Sequence, residues 1–356
     1  MQEANEIAEI ATKYVNTTHQ HIFLTGKAGT GKTTFLKQII GNTYKNTIVA
    51  APTGIAAINA GGVTLHSLFQ LPFGTFIPEN IPLQESHNQV NTPQTLFSNR
   101  QMNGTKRRML QELELLIIDE VSMLRADVLD CMDFVLRHVR RNQAPFGGLQ
   151  ILFIGDLLQL PPVVKENEKS LLAPYYSSVY FFESLALKKQ TPIHVELKKI
   201  YRQQDQDFID LLNRLRHNEQ QEDDLNFLNK FYKSQSQIEE LKGYVHLTTH
   251  NTKADRINLN RLNNLDEKTH NYNAKVEGEF PQNMLPTENN LQLKKGAQIM
   301  FIKNDPSGEG LFFNGKLATI SDLSSDEIKV KFGHGLRWKL DTLELIGFVE
   351  PFDVEY

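Results

Sequence analysis

The sequence predicts an α/β fold in which a parallel sheet carries helices on both faces, and three observations support it. Apolar runs at 22–24, 46–52, 113–118 and 149–154 alternate with helical stretches, the rhythm of strand–helix–strand units in a parallel sheet. A glycine-rich turn joins the first of these strands to the helix after it, and a pair of acids closes the third. Ligands of such sheets bind outside the carboxyl ends of the strands, which is where these glycines and acids fall.

The bulk numbers set limits. A chain of 356 residues suggests two or three domains. With 40% hydrophobic and 22% charged residues it can bury a core. Lys and Arg number 38 against 42 acids, a formal charge of −4, which argues against a blanket of positive charge but leaves room for a local groove that tracks a nucleic-acid backbone. Cys131 is the single cysteine, so an intramolecular disulfide and a cysteine zinc site are excluded. It reads as a small buried hydrophobe on a helix. The opening MQEANEIAEIATKYV lacks a signal-peptide core. No apolar run reaches the roughly 18 residues of a membrane span, so a soluble, intracellular protein with no membrane partner is expected.

Residues 21–40, HIFLTGKAGTGKTTFLKQII, give the strongest local signal. A strand enters Gly26-Lys27-Ala28-Gly29-Thr30-Gly31-Lys32-Thr33, and a helix begins through Thr34. This is the phosphate-loop spacing in its confirming context. The glycines let successive backbone N–H groups turn inward around phosphates at the positive end of a helix. Gly26, Ala28, Gly29, Thr30, Gly31, Lys32, Thr33 and Thr34 are the expected nucleotide cradle. Lys32 is expected to reach the β- and γ-phosphates and the Thr33 hydroxyl to bind Mg²⁺.

The run LELLIIDE (113–120) reads as a buried parallel strand ending in two carboxylates. Asp119 is expected to hold Mg²⁺ through water, and Glu120 to polarise the attacking water. After the fourth strand comes GDLLQLPPV (155–163), where Gln159 is placed to hydrogen-bond a γ-phosphate. A kinase or GTPase would need an acceptor site or a guanine motif such as Asn-Lys-x-Asp, and neither occurs. The pair of histidines in HLTTH (246–250) has no Glu between them and falls in a segment that reads as a strand, so no metal role is expected there.

Together GKAGTGKTT, APTGIAAINAGGVTLHSLF, LLIIDEVSML and GDLLQLPPV resemble the motifs of superfamily 1B helicases, and within them the Pif1-like group. EVSMLRADVLDCMDFVLRHVR (120–140) looks like that group's signature, which weighs against a RecD-like translocase subunit. The resemblance implies two RecA-like motor domains, a small 1B wedge insertion and an SH3-like 2B barrel. The first motor domain is expected at 1–70 and 106–190 and the wedge at 71–105, where prolines and polar residues break the α/β rhythm. The first part of the second motor domain is expected at 191–258, and the 2B insertion at 259–356, with Asn314-Gly315 as a hairpin turn. The family's further motifs, one like His-Lys-Ser-Gln-Gly and one around ALSR, do not occur before IGFVEPFDVEY, so the second motor domain is expected to be incomplete.

By the same resemblance Arg202, in KKIYRQQ, reaches the γ-phosphate from the second motor domain, and Asn251 contacts DNA. ATP is the implied nucleotide, with Gln2 or Asn5 as candidates to read adenine. The stretch at 51–69 then becomes a grip on a phosphodiester chain. Backbone N–H groups, hydroxyls and a histidine can hold phosphates without reading sequence, so Pro52, Thr53, Gly54, Thr64 and His66 are expected DNA contacts. Phe69, Phe73 and Phe76 are candidate base stackers, with core packing as their alternative. The cluster TKRRML (105–110) is either a further DNA contact or a solvated helix face. The implied activity is ATP- and Mg²⁺-dependent translocation, 5′ to 3′, on single-stranded DNA by a monomer. The implied partners are single-stranded, forked or structured DNA, with G-quadruplexes and DNA–RNA hybrids among the structures the family unwinds, and repair, recombination and telomere maintenance are compatible settings. The rival from another class is an ATP- and DNA-binding protein that does not turn over.

Overall fold

The computed structural model describes residues 2–80, 90–98, 102–201, 205–234, 237, 247–273, 289–302, 305, 311–312, 316–325, 327–332 and 337–341. The chain divides into two compact units, Met1–Asn229 and Lys230–Tyr356.

The first unit is built on a six-stranded sheet. Its strands are β1 (Ile22–Gly26), β2 (Thr47–Ala51), β3 (Val63–Thr64), β6 (Leu115–Ile118), β7 (Gln150–Gly155) and β8 (Ile193–Leu197). They lie in the order β3-β2-β6-β7-β1-β8, and each neighbouring pair is parallel. The central strands explain why the sequence showed unbroken apolar runs. Leu115 and Ile117 of β6 face a core that includes Phe35, Leu36 and Ile39 of α2 (Lys32–Asn42) and Ala11 and Val15 of α1 (Gln2–Thr17). Leu116 and Ile118 face the opposite core, with Leu65 and Leu68 of α4 (Leu65–Phe69) and Leu129, Met132 and Leu136 of α7 (Ala126–Arg140). A strand with apolar layers on both faces has no polar positions to alternate.

One boundary differs from the sequence expectation. The resemblance puts residues 193–197 in the second motor domain, but β8 is the edge strand of the first sheet, in register with β1 from Ile22 against Ile193 to Gly26 against Leu197. The following helices, α10 (Gln206–His217) and α11 (Glu222–Asn229), belong to the same unit. The half-polar pattern IHVEL fits an edge strand of either domain, and its pairing with β1 assigns it to the first.

The segment 120–140 fastens the unit together. Three acids of α7, spaced three residues apart, are buried, and each accepts a backbone N–H from another segment. Asp127 accepts from Phe76, Asp130 from Leu185 and Ala186, and Asp133 from Phe146. Asp130 also accepts the Tyr176 hydroxyl at 2.9 Å. Buried carboxylates are tolerated only when hydrogen-bonded in this way. Cys131 is buried on the same helix, as its sequence context suggested.

The described residues between 71 and 105 carry regular elements. β4 (Thr75–Phe76) pairs in parallel with β5 (Val90–Asn91), and α5 (Pro93–Ser98) and α6 (Gly104–Glu112) follow. Arg125 anchors the root of this segment through Asp127 at 2.9 Å and Glu168, on α8 (Glu166–Leu172), at 3.1 Å, with Thr75 also donating to Glu168.

Two predictions follow from packing in this unit. A Cβ on Gly62 would lie 2.2 Å from the carbonyl oxygen of Val49 in β2, so this glycine serves the close approach of a turn to the sheet. Gly62→Ala is expected to cost about 1–3 kcal/mol in denaturant unfolding, the range for forced overpacking. His21 is buried, and its Nδ1 accepts the backbone N–H of Ile151 at 3.1 Å. Burial pushes its imidazole down to about 4 from 6.5. The unfolded chain therefore takes up this proton first as pH falls. The contribution is intact above 6.5 and is lost on the way down to about 4, a change of roughly 3 kcal/mol. His21→Asn, which keeps an acceptor, is expected to flatten that part of the stability–pH curve measured between neutral and about pH 4.

The second unit is antiparallel where it is described. β9 (His270–Asn273) pairs with β10 (Asn290–Leu293), and β11 (Gln298–Met300), β12 (Leu317–Leu323), β13 (Glu327–Lys331) and β14 (Arg337–Asp341) form a four-stranded sheet. Phe301, Phe312, Ile320, Ile328, Val330 and Phe332 make its core. Asn314-Gly315 lies outside the described residues. The expected strand at 246–250 is not found: residues 247–250 carry no regular element and lead into α12 (Asn251–Asn263). α9 (Leu185–Lys189) and α3 (Gly54–Asn59) complete the helices of the first unit.

Candidate active site

Every motif of the first unit emerges at the carboxyl edge of the one sheet. The phosphate loop follows β1, Asp119 and Glu120 follow β6, and Gln159 follows β7; in the sheet these three strands are neighbours in the order β6-β7-β1. Pro52, Thr53 and Gly54 follow β2, while Thr64 and His66 lie at the end of β3 and on α4. The sheet order thus sorts the candidates into two groups, a nucleotide group on β6-β7-β1 and a strand-gripping group on β3-β2.

In the phosphate loop Gly29 and Gly31 have φ of 79° and 91°, a left-handed backbone that glycine adopts without penalty. Gly31 is the residue before α2, so its conformation turns the chain into the helix whose N-terminus faces the loop. Thr30 is buried and donates to the Lys27 carbonyl at 2.9 Å, closing the loop on itself. Lys32 Nζ donates to the carbonyls of Gly26 at 2.7 Å and Lys27 at 3.1 Å. Burial lowers its affinity for a proton, and the carboxylates of Asp156, Glu120 and Asp119 act against that. Thr33 and Thr34 are exposed on the first turn of α2, and Ala28 is exposed in the loop.

The acid pair has an unusual backbone. Glu120 sits at φ 51° and ψ 44°, left-handed for a residue with a side chain, and its N–H donates to Asp119 Oδ1 at 3.0 Å. Such strain persists where the surroundings hold it, and it concentrates at functional sites. Burial raises the Asp119 carboxyl above its usual range, with the Glu120 charge adding to the rise and the Glu120 N–H and Lys32 opposing it.

On the strand-gripping side, the Thr53 hydroxyl caps α3 by accepting the Ala56 N–H, and Thr64 caps α4 by accepting from Ser67. Each hydroxyl oxygen used as an acceptor retains its own proton for donation. His66 is half-buried; burial first, and then the charge of Arg125, push its imidazole below the usual value, while Asp127 acts against them. Among the three candidate stackers, Phe69 and Phe76 are buried in the core and are corrected to packing residues. Phe73 is 55% exposed and stacks on His66 with ring centroids 6.0 Å apart.

Several contacts at the site carry no sequence motif. Arg216 of α10 holds Asp156 through two hydrogen bonds, and Asn213 of the same helix accepts from Lys27 Nζ at 2.8 Å. The Tyr201 N–H donates to Gly29 O at 2.8 Å. The acid in GDLLQ and the asparagine and arginine in NRLRH were visible as residues, but nothing in their spacing announced that they meet. Arg202 lies outside the described residues, and so do the side chains of Gln2 and Asn5. Asn251 is exposed at the start of α12 in the second unit. Among the described residues no helix is long and apolar enough to cross a membrane.

Comparison with known proteins agrees with this geometry. The PIF1-like helicase family profile matches residues 2–225. The chain is 31% identical over 322 residues to the ATP-dependent DNA helicase PIF1 of Saccharomyces cerevisiae, covering 86% of this chain and 34% of that protein. It is 34% identical over 299 residues to the human enzyme of the same name, covering 82% of this chain and 42% of the relative. The chain thus spans less than half the length of these relatives. A crystal structure of Bacteroides Pif1 bound to ssDNA superposes with a TM-score of 0.79 at 38% identity, covering 96% of this chain and 74% of that one. A complex of Bacteroides Pif1 with ADP-AlF3 and ssDNA gives 0.78 at 37%, with the same coverage. With a phosphate loop, an acid pair and the glutamine after β7 on one α/β P-loop sheet, and a profile match across most of that unit, the chain belongs to the PIF1-like helicase family.

Proposed function

We propose that this chain is the nucleotide-hydrolysing part of a DNA motor that grips single-stranded DNA and uses Mg²⁺-ATP to move along it and open forked or structured duplexes. The observation that carries the reading is the placement of the phosphate loop, the Asp119-Glu120 pair and Gln159 at the carboxyl ends of the neighbouring strands β1, β6 and β7. Such a site stabilises charge on a transferring phosphoryl group by position and field, with little covalent work for the protein.

In this reading Lys32 and the loop N–H groups hold the β- and γ-phosphates, and Glu120 orients and deprotonates the attacking water. Thr33, with Asp119 through water, would hold Mg²⁺, which supplies neutralisation of phosphate charge. Gln159 senses the γ-phosphate, and Arg202, in the segment that follows β8, completes the site. Pro52, Thr53, Gly54, Thr64, His66 and Asn251 grip the DNA backbone. The fall in its proton affinity leaves His66 to contact phosphate as a neutral hydrogen-bonding group, with Phe73 stacked beside it as the available base platform. The residues from 71 to 105 serve as the wedge, and the antiparallel sheet of the second unit as an SH3-like 2B barrel. Bacteroides Pif1 complexes with ssDNA and with ADP-AlF3 support the nucleotide and DNA assignments. A structure presented as the basis for DNA unwinding at forked dsDNA by two coordinating Pif1 helicases supports forks as substrates. Movement 5′ to 3′ as a monomer, with G-quadruplexes and DNA–RNA hybrids as further substrates, belongs to the same proposal.

The test is steady-state ATP hydrolysis by the chain with and without oligo-dT, beside measured binding of both. Turnover that rises with oligo-dT is the expected result. Binding of both ligands without turnover would replace the motor by a gripping module.

A further inference from the structure

The pair formed by Arg216 and Asp156 has no role in the scheme above. Its guanidinium nitrogens donate to the two carboxylate oxygens at 2.6 and 2.7 Å, the fork-to-fork geometry that gives direction as well as strength. Asp156 is 1% exposed and follows β7 directly. The same carboxylate accepts the Leu158 N–H at 3.2 Å and Gln159 Nε2 at 3.2 Å, and the Gln159 N–H donates back to the Asp156 carbonyl at 2.9 Å. The turn 156–159 is thus wound around Asp156, and Arg216 is what holds Asp156 from outside. Burial works to raise the Asp156 carboxyl, yet the hydrogen bonds from Arg216 leave it below the usual range.

Gln159 itself is exposed. Among the described residues its amide is tethered by the bond to Asp156, and from the surface it is able to turn toward a bound phosphate. Arg216 and Asn213 lie three residues apart on one face of α10, and Asn213 takes the Lys27 ammonium of the phosphate loop. One face of one helix therefore touches the phosphate loop and the turn after β7 together.

We propose that Arg216 is a positioning residue for hydrolysis, clamping Asp156 so that the turn presents Gln159 to the terminal phosphate and tying that turn to α10. This rests on the hydrolysis reading given above. Arg216 touches no substrate, and it acts through Gln159.

The experiment is a double-variant cycle on the full chain, reading kcat, KM for ATP and Tm. Arg216→Lys keeps the charge and loses the fork. It is expected to lower kcat roughly 10- to 100-fold, the scale at which residues that orient a reacting group through another act, with KM and Tm little changed. In a Gln159→Ala background the same change is expected to cost nothing further. A lone buried carboxylate can unfold a protein, so a paired variant, Arg216→Gln with Asp156→Asn, restores a neutral hydrogen-bonded pair. It is expected to hydrolyse faster than Arg216→Gln alone. Additive losses in the cycle, a kcat loss that merely tracks Tm, or no gain from the pair would each overturn the proposal while leaving the hydrolysis reading standing. No turnover by the unmodified chain would overturn both.

Discussion

Lys32→Ala is expected to lower ATP hydrolysis by roughly 100- to 1,000-fold, the loss seen when one preorganised charge is removed from a developing anion. In the structure its ammonium spans the carbonyls of Gly26 and Lys27, at the mouth of the loop where the phosphates of a nucleotide would replace those contacts. The carboxylates of Asp156, Glu120 and Asp119 oppose the effect of burial and favour its charged form. Alanine leaves the two carbonyls without this donor but disturbs no apolar core, so Tm is expected to stay close to that of the unmodified chain. Hydrolysis rates and thermal unfolding measured side by side decide the matter. A variant that folds and turns over at the original rate would remove Lys32 from the chemistry.

Glu120→Gln is expected to reduce kcat by about 100- to 10,000-fold, the usual share of a general base, with KM for ATP and affinity for oligo-dT nearly unchanged. The amide keeps the shape of the side chain and loses its basicity. That separation matters because Glu120 and Asp119 are coupled: burial and the Glu120 charge hold the Asp119 carboxyl above its usual range. Neutralising Glu120 removes a charge that raises Asp119, so the acid limb of the rate profile governed by Asp119 should move to lower pH. Equal losses in kcat and in nucleotide affinity would assign Glu120 to binding instead of proton transfer.

These two residues were legible in the sequence because their chemistry demands fixed spacing on a fixed strand context. The phosphate loop needs glycines and a lysine between a strand and a helix, and the acid pair needs a buried strand to end on it. For the same reason the parallel sheet could be read: β6 and β7 are apolar on both faces, and continuous apolar runs survive any change in the surrounding helices. The resemblance to Pif1-like helicases followed from these strings and holds against the profile match at 2–225.

What the sequence left open was decided by long-range contact. Nothing in IHVEL states that it is an edge strand of the first sheet; only its pairing with β1 does. Phe69, Phe73 and Phe76 are the same residue type within eight positions, and burial separates the two that pack from the one left at the surface. Gly62 answers to the Val49 carbonyl, a neighbour thirteen residues earlier in the chain. Asp156 and Arg216, sixty residues apart, meet because α10 returns across the carboxyl edge of the sheet. By itself the sequence determined the reactive groups and the strands that carry them, since both depend on local patterns of residues. Tertiary structure alone decided which side chains brace those groups, because a buried ion pair or a close approach depends on where distant segments are brought together.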